Sequence, residues 1–313
     1  SRNPRRSNRA CRLRLRPCRQ RRVPCSPSPW SSSRLATEFR ELKIIDQLPP
    51  RAWCDDPDLV DRFLQDLVQC TELRYLHFIG GETMITPGFA TILQRLVTQG
   101  LAPKVTVGFT TNLTVWSAST VTLLEQFHSV NLGMSIECVS ELNDYVRYGS
   151  SIHTVMQTLQ RWITVANSRG WLVQLRPTPN VLTMGQLSSV YDLAWQHNLA
   201  VESCNFISDP DFMQPSVLPQ SQRDSVISDL ENWIASKGTV SPDTVINTRD
   251  PNQAQQQILQ DAASYVHYLR NQPDHSDRLV HLVKYLRTLE SRRGNCILDH
   301  LPHYEQIFRA AGY

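Results

Sequence analysis

Apolar residues gather in five short runs between residues 73 and 207, and each run predicts a buried β-strand. Residues 73–79 read LRYLHFI and are nearly continuously apolar, which is typical of a parallel strand buried on both faces. The other runs occupy residues 105–110, 130–136, 172–175 and 201–207.

Segments with helical periodicity separate these runs, and two of them begin with a capping pair. Asp56-Pro57 and Thr86-Pro87 each place a polar residue before a proline at the first helical position, so we expect a helix to begin at each pair. The remaining helical patterns occupy residues 151–169, a stretch after 183, and residues 225–236, 255–270 and 277–291.

Strands that alternate with helices at roughly 25–40-residue spacing predict a parallel sheet. Such a sheet is either doubly wound or a full or partial barrel. In both arrangements ligands bind at the carboxyl ends of the strands. From about Pro215 onward the strand signals fade and helical patterns dominate.

Charge is divided unevenly between a short N-terminal arm and the rest of the chain. The net charge is +3, yet residues 1–37 contain eleven arginines, no lysine and no acidic residue, since the first acid is Glu38. The remaining 276 residues carry 21 basic and 29 acidic groups, a balance of −8. Hydrophobic residues make up 41% and charged residues 19%, which excludes a disordered or fibrous chain. No run of about 18 apolar residues is present, so no membrane partner is expected.

The eight cysteines are divided between the arm, which has three, and the remainder, which has five. Residues 1–30 lack the apolar core of a secretory signal, and a disulfide framework is not expected without one. We therefore predict reduced thiols and a cytoplasmic location. The cysteines expected to be buried in the core are Cys54, Cys70, Cys138, Cys204 and Cys296. Because the sequence does not begin with methionine, we expect the natural chain to start further upstream.

Polar clusters follow three successive predicted strands, at the edge of the sheet where ligands bind. Gly80-Gly81-Glu82 follows the first strand, and two glycines there permit a tight turn and a close approach of a ligand to the backbone. The acid directly after them is placed to receive a cation or an amine. Residues 110–114 (TTNLT) and 135–137 (SIE) follow the next two strands. Three clusters on one rim predict a ligand site.

The order and spacing of these segments resemble the radical S-adenosylmethionine (radical SAM) superfamily, and within it the twitch domain-containing radical SAM proteins. The similarity covers roughly residues 25–310. It is carried by WSSSRLATEF (30–39), GGETMI (80–85), TTNLT (110–114), SIECVSELNDYVRYG (135–149), SDPDFMQPSVLP (208–219) and RRGNCILDHLPHYEQIF (292–308).

That resemblance implies an α/β fold, a partial (β/α)6 TIM-like barrel with a helical C-terminal extension, that holds a 4Fe-4S cluster at its rim. Members of the superfamily cleave S-adenosylmethionine reductively and use the resulting 5′-deoxyadenosyl radical to abstract hydrogen from a substrate. The implied partners are an electron donor and a peptide or small-molecule substrate. The corresponding divisions are residues 1–24 (arginine-rich arm), 25–215 (barrel) and 216–313 (extension).

Position by position, the resemblance assigns cofactor binding to Gly80, Gly81, Glu82, Asn112, Ser135 and Arg147. The Gly-Gly-Glu element would meet the methionine amino group through its acid and its backbone. Asn112 and Ser135 match positions near the ribose or the methionine moiety. Arg147 matches a basic residue that reaches the carboxylate of S-adenosylmethionine, and a solvated arginine at a helix end is the alternative. Glu137 stands where many relatives have Asp, and Cys138 where they often have Gly.

The expected cluster loop departs from the family pattern at one position. In this superfamily three thiolates of a C-x3-C-x2-C motif hold the cluster. The best alignment matches Cys18 and Cys25 to the outer positions, which makes them the expected metal ligands, and places Arg22 in the middle. Arginine is always protonated and cannot ligate iron. Residues 12–16 are the expected first strand of the barrel.

Three explanations of Arg22 stay open. Cys11 could supply a third thiolate from outside the loop, or the protein could be a degenerate relative that binds S-adenosylmethionine without radical chemistry. A corrupted stretch of translated sequence is favoured, because an acid-free arm of Arg, Ser, Pro and Cys is atypical of a strand. Nucleic-acid binding by the arm is less favoured, since no aromatic residue interleaves with the arginines before Trp30. An organellar transit peptide is equally disfavoured.

Other candidate residues give weaker signals. His77 lies inside a predicted strand, where a satisfied core histidine is expected. His300 and His303 have no acidic or thiol companions, so we interpret them as surface residues. Arg176 and Asp209 are expected to face the cavity from later strand ends. Neither a G-x-S-x-G elbow nor a phosphate-binding loop is present, so hydrolase and P-loop classes receive no support.

Overall fold

Six parallel strands form one sheet in the computed structural model, which describes residues 56–70, 72–203, 205–238 and 253–313 and the backbone of a strand at 13–14. The strands are β1 (Leu13–Arg14), β2 (Tyr75–Phe78), β3 (Thr106–Thr111), β4 (Ser129–Met134), β5 (Leu172–Leu175) and β6 (Ala200–Val201). Their order across the sheet is their order in the sequence, and every neighbouring pair is parallel. The predicted parallel sheet is confirmed. A doubly wound sheet reverses its strand order partway, so the described strands exclude that alternative.

Two strands differ from the apolar runs that predicted them. β1 lies within the expected first strand at residues 12–16 but is two residues long. β6 is also two residues long, so the prediction of a strand over residues 201–207 is wrong beyond Val201. β6 is short because its partner β5 ends at Leu175, and the last ladder bond runs from the N–H of Glu202 to the carbonyl oxygen of Leu175.

The helices in chain order are α1 (Pro57–Gln69), α2 (Pro87–Thr98), α3 (Ala118–Leu124), α4 (Leu142–Val146), α5 (Ile152–Arg169), α6 (Leu187–His197), α7 (Gln220–Lys237), α8 (Ala254–Arg270), α9 (Leu279–Arg293) and α10 (Glu305–Ala310). Asp56 caps α1 as predicted, since its Oδ1 accepts from the backbone N–H groups of Asp58 at 3.0 Å and Leu59 at 3.3 Å. Thr86 precedes α2 without capping it. Its hydroxyl instead donates to the carbonyl oxygen of Glu82 at 3.0 Å. In the described part of the chain, no helix has the length and apolar content needed to cross a membrane.

One face of the sheet is apolar and packs against helices. Phe78 of β2 and Phe109 of β3 are buried on this face. The ring of Phe89 on α2 contacts both, with centroid distances of 4.8 Å and 5.2 Å. Trp162 of α5 packs on Phe109 at 5.9 Å. These rings fix the two helices to the same side of the sheet.

The opposite face is polar and half-buried. Alternate strand residues point to opposite faces, and the polar residues on this face are Tyr75, His77, Thr106, Thr110, Ser129, Asn131 and Gln174. The prediction that residues 73–79 are buried on both faces is therefore wrong. His77 is satisfied, because its Nδ1 lies 2.8 Å from the hydroxyl oxygen of Tyr75, but it is not a core residue. Gly108 on β3 makes room for this pair, since a Cβ there would lie 2.3 Å from that hydroxyl oxygen and 2.4 Å from the imidazole nitrogen.

Helix α8 closes the outer edge of the sheet at β6. The side-chain oxygen of Gln257 accepts from the backbone N–H of Val201 at 2.8 Å, and its side-chain nitrogen donates to the carbonyl oxygen of Val201. One turn later, Asp261 accepts from the backbone N–H of Ser203 at 3.2 Å. These side chains bond the outward backbone groups of β6 as a neighbouring strand would, so this edge cannot pair with another strand.

Candidate functional site

The chain leaves β2 through a turn that favours glycine. Gly80 has a φ of 127° and Gly81 a φ of 35°, and both values lie where side-chain-bearing residues are strained. Gly80 is half-buried and Gly81 is exposed. The two predicted glycines thus expose backbone at the carboxyl end of the sheet.

Glu82 joins the end of β2 to the end of β3. Its Oε1 accepts from Thr111 Oγ1 at 2.8 Å and from the N–H of Met84 at 3.0 Å, and its Oε2 accepts from the N–H of Asn112 at 2.6 Å. A carboxylate offers about four acceptor positions, so protein donors occupy three of them. Glu82 therefore orders the rim and keeps one acceptor position for a ligand.

Asn112 forms the turn that follows β3. Its Oδ1 accepts from the backbone N–H of Thr114 at 3.0 Å and from the hydroxyl of Thr114 at 2.6 Å, which is an Asx turn. Between them Leu113 is fully buried with a φ of 65°, a left-handed conformation that costs a non-glycine residue about 1–2 kcal/mol. Burial of Leu113 and the bonds around it hold this strained turn, and with it the position of Asn112.

Four polar residues occupy one row across the strand ends: Asn112, Ser135, Arg176 and Glu202. The ladder bonds that extend the sheet to this row run from Ser135 N–H to Thr111 O (2.8 Å), Arg176 N–H to Met134 O (2.8 Å) and Glu202 N–H to Leu175 O (2.9 Å). The structure thus places the predicted residues Asn112 and Ser135 beside two charged residues on the same polar face.

Arg176 reaches across the polar face from the end of β5. Its Nη1 donates to Thr110 Oγ1 on β3 at 3.3 Å, and its Nη2 lies 2.5 Å from Oε2 of Glu202. Gln174 donates to the same carboxylate oxygen at 2.8 Å. Arg176 thus lies on the polar face, whereas Asp209 is an exposed loop residue.

Glu137 and Arg147 form an ion pair at the end of β4. Glu137 is only 6% exposed, and its Oε1 lies 2.5 Å from Nη2 of Arg147, whose side chain is 24% exposed. Its Oε2 accepts from the backbone N–H of Thr178, after β5, at 2.6 Å. The N–H of Glu137 donates to Oδ1 of Asn143, a fully buried residue of α4, at 3.1 Å. Arg147 does lie at the C-terminal end of α4, as the alternative interpretation expects, but its ion pair holds it half-buried in the rim rather than solvated.

Two buried donors beside this ion pair have no acceptor among the described residues. They are Nε of Arg147 and Nδ2 of Asn143. The two residues lie one helical turn apart, and the N–H of Arg147 donates to the carbonyl oxygen of Asn143 at 2.8 Å. A buried donor without a partner costs about 1–3 kcal/mol, so native structures supply an acceptor from a ligand or water. The unpaired donors at this point favour an acceptor-rich ligand.

The expected iron ligands Cys18 and Cys25 lie outside the described residues, as does Arg22. In the segments that the structure describes, no group of three His, Cys, Asp or Glu side chains is arranged to hold a metal ion. The cluster loop therefore stays a prediction.

The remaining cysteines differ in burial. Cys138 is fully buried as predicted, and burial raises the pKa of its thiol to about 11. Cys70 and Cys296 are half-buried, so the prediction of burial in the core holds only in part for both. Cys296 lies at the surface of the C-terminal segment, where its Sγ is 3.2 Å from the hydroxyl of Tyr313. The other two cysteines predicted to be buried, Cys54 and Cys204, fall outside the described residues.

The two C-terminal histidines pack against aromatic rings. His303 is exposed and lies on Tyr304, with ring centroids 4.3 Å apart. His300 is half-buried against Tyr145 at 5.6 Å. The surface location is confirmed for His303 and holds only in part for His300.

Several residues of the site had no role in the sequence analysis. The polar face could have been found from alternation, because Tyr75 and His77 are two residues apart, as are Gln174 and Arg176. Thr178 could not have been found from the sequence, since it contributes only its backbone N–H to the site.

Comparisons with known proteins give matches among solved structures alone, because no protein-family model and no curated protein matches the chain. One similar structure is Streptococcus suis SuiB bound to S-adenosylmethionine, with 14% identity, a TM-score of 0.40, and coverage of 57% of this chain and 39% of that chain. Another structure of Streptococcus suis SuiB gives 13% identity, a TM-score of 0.41, and coverage of 57% and 41%. This chain thus spans about two fifths of the length of those proteins.

Proposed function

We propose that this protein binds S-adenosylmethionine at the carboxyl ends of β2, β3 and β4 and acts as a radical SAM enzyme of the twitch domain-containing group. One observation carries the proposal. The residues at the motif positions, Gly80 to Glu82, Asn112, Ser135 and Arg147, come from three strand ends and belong to one connected rim.

The fold supports this proposal through its strand order. In a partial (β/α)6 TIM-like barrel, consecutive parallel strands are neighbours and the helices cover one face. The described sheet has both properties. We extend it to a barrel whose first strand, β1, lies in the arm at 1–24 and whose remainder spans residues 25–215, followed by a helical extension at 216–313.

The rim residues fit the polar groups of S-adenosylmethionine. The exposed backbone at Gly80 and Gly81 and the remaining acceptor position of Glu82 would hold the methionine amino group. Arg147 would bind the carboxylate, and the unpaired donors of Arg147 and Asn143 fit an anion at that point. Asn112 and Ser135 would bind hydroxyl groups of the ribose.

When bound to a reduced 4Fe-4S cluster, S-adenosylmethionine supplies a 5′-deoxyadenosyl radical for hydrogen abstraction. Cys18 and Cys25 are the proposed iron ligands, and a reducing cytoplasm would keep them as thiols. The polar face, with Tyr75, His77 and Gln174, would contact a peptide or small-molecule substrate. These side chains offer hydrogen-bond donors and acceptors that orient such a substrate against the rim.

A second candidate function is S-adenosylmethionine binding without radical chemistry. Arg22 favours it, because this residue occupies the position of the middle thiolate and cannot ligate iron. The rim contacts of Glu82 and Arg147 involve no cysteine, so they are compatible with either function.

The test is anaerobic reconstitution of the full chain and of Arg22→Cys with iron and sulfide, followed by reduction with dithionite. S-adenosylmethionine binding is measured by calorimetry and 5′-deoxyadenosine by chromatography. If the protein is a radical SAM enzyme, both proteins should bind S-adenosylmethionine. Arg22→Cys, with or without the original protein, should also show cluster absorption and form 5′-deoxyadenosine. If both proteins bind S-adenosylmethionine but neither cleaves it, the radical function is rejected and the second candidate function is supported. Absence of binding in both would overturn the two proposals together.

A further inference from the structure

Glu137 connects three segments of the rim through a nearly buried carboxylate. One oxygen lies 2.5 Å from the Arg147 guanidinium, and the other accepts from the backbone N–H of Thr178 at 2.6 Å. The backbone of Glu137 is held in turn by Asn143 at 3.1 Å. The carboxylate therefore has a fixed position that does not depend on a ligand.

We infer that Glu137 is a positioning residue, which holds the Arg147 guanidinium so that its remaining N–H groups face the carboxylate of the bound ligand. This inference rests on the proposed function, in which Arg147 binds the carboxylate of S-adenosylmethionine. It concerns a residue that touches Arg147 and has no direct contact with the ligand.

The contact with Glu137 leaves several N–H donors of the Arg147 guanidinium unused. An arginine side chain carries five N–H donors in a planar fork, and the contact with Glu137 uses Nη2. A free arginine loses considerable rotamer freedom when it binds a ligand. The contact with Glu137 has already removed that freedom, so the ligand binds to a preorganised partner.

A simpler electrostatic effect would act in the opposite direction. Glu137 is negative, and at close range it repels a ligand carboxylate. If repulsion dominates, removing the charge of Glu137 will strengthen binding of a carboxylate ligand. If positioning dominates, the same change will weaken it, because the arginine loses its fixed orientation. The direction of the change separates the two effects.

The experiment compares S-adenosylmethionine with decarboxylated S-adenosylmethionine, which lacks only the carboxylate. Calorimetry on the full chain gives the two dissociation constants and their ratio for the original protein, Glu137→Gln, Arg147→Lys and the double variant. Asp261→Asn is the control, since it also replaces a buried carboxyl group that accepts from a backbone N–H but lies at the β6 edge. Circular dichroism and thermal unfolding monitor the fold of each protein.

Positioning predicts that Glu137→Gln lowers the preference for the carboxylated ligand about tenfold and leaves binding of the decarboxylated ligand unchanged. The double variant should then equal Arg147→Lys, because Glu137 acts through the arginine. Asp261→Asn should keep the original preference. A merely structural role would weaken both ligands equally, and that result would overturn the inference.

An unchanged or increased preference in Glu137→Gln would also overturn the inference while leaving the proposed function intact. Failure of the original protein to bind either ligand would instead overturn the proposed function. If Glu137→Gln does not fold, Glu137→Asp replaces it, because it keeps the charge but shortens the reach by one methylene. Positioning predicts a reduced preference in this variant, and an unchanged preference would contradict it.

Discussion

The side chain of Arg176 passes over the Cα atom of Gly133, so the residue that follows β5 crosses β4 to reach Thr110 on β3. A Cβ at position 133 would lie 2.5 Å from Cδ of Arg176 and 2.9 Å from Oγ1 of Thr110. Gly133 thus leaves room for the side chain of Arg176. Its φ is not positive, so the backbone conformation at this position does not itself require glycine.

We expect Gly133→Ala to destabilise the protein by about 2 kcal/mol, the middle of the range for overpacking. The new methyl group must displace Arg176 from Thr110 and Glu202 or shift the strand. Urea unfolding measures the loss. Gly185→Ala is the control, because its Cβ would meet Val226 at 3.8 Å, an ordinary contact, and should change the free energy of unfolding little. Equal effects of the two substitutions would contradict this account.

The apolar pattern predicted the sheet well because buried strands need apolar residues at each alternate position. It failed where polar residues take their place. Tyr75 and His77 interrupt an apolar run, and their role becomes visible only with Gly108 opposite them. Similarly, the covering of the outer edge of β6 could not be predicted from the residues of that strand. Its outward groups are bonded by Gln257 and Asp261, more than fifty residues away in sequence.

The rim was predictable as a set of positions but not as a set of contacts. Glycines at 80 and 81 and the Glu at 82 indicated a turn with a carboxylate, and the turn is present. That Glu82 would bond Asn112 and Thr111 follows from the parallel register, which no local pattern encodes. The arm, where Arg22 stands between Cys18 and Cys25, stays a sequence prediction.

Glu82→Gln should destabilise the rim by about 2 kcal/mol. An amide has one oxygen, so it cannot accept from Asn112 and Thr111 on opposite sides, and it loses the strength of a charged acceptor. Hydrogen exchange at the backbone amide of Asn112 should accelerate, and urea unfolding should show the lost stability. Glu72→Gln, an exposed carboxylate whose side chain is 79% accessible, is the control and should change neither. Unaltered exchange at Asn112 would refute the role of Glu82.

The buried carboxyl of Asp261 should make stability depend on pH. Burial raises the pKa of Asp261 above its ordinary value, although hydrogen bonds from Ser203 and Tyr191 partly oppose the rise. As the pH rises, the Asp261 carboxyl therefore loses its proton in the unfolded state before it does so in the folded state. The contribution of this group is fully present below the unfolded pKa of about 4 and is lost as pH rises through the folded pKa.

Asp261→Asn removes that titration, and its amide can accept from Ser203 and donate to the oxygen of Tyr191. The stability of the original protein minus that of Asp261→Asn should therefore fall as the pH rises above about 4. Urea unfolding at several pH values measures this difference. A difference that rises with pH would show that Asp261 is stabilised in its charged form.

Cys138 should resist alkylation as long as the protein is folded. Its thiol is fully buried, and a pKa of about 11 leaves about one thiolate in a thousand at pH 8. Cys70 and Cys296 are half-buried and serve as internal controls in the same sample. Peptide mass spectrometry after brief treatment with iodoacetamide should find both controls labelled well before Cys138, which reacts only when urea is added. Labelling of Cys138 at the rate of the controls would contradict its burial.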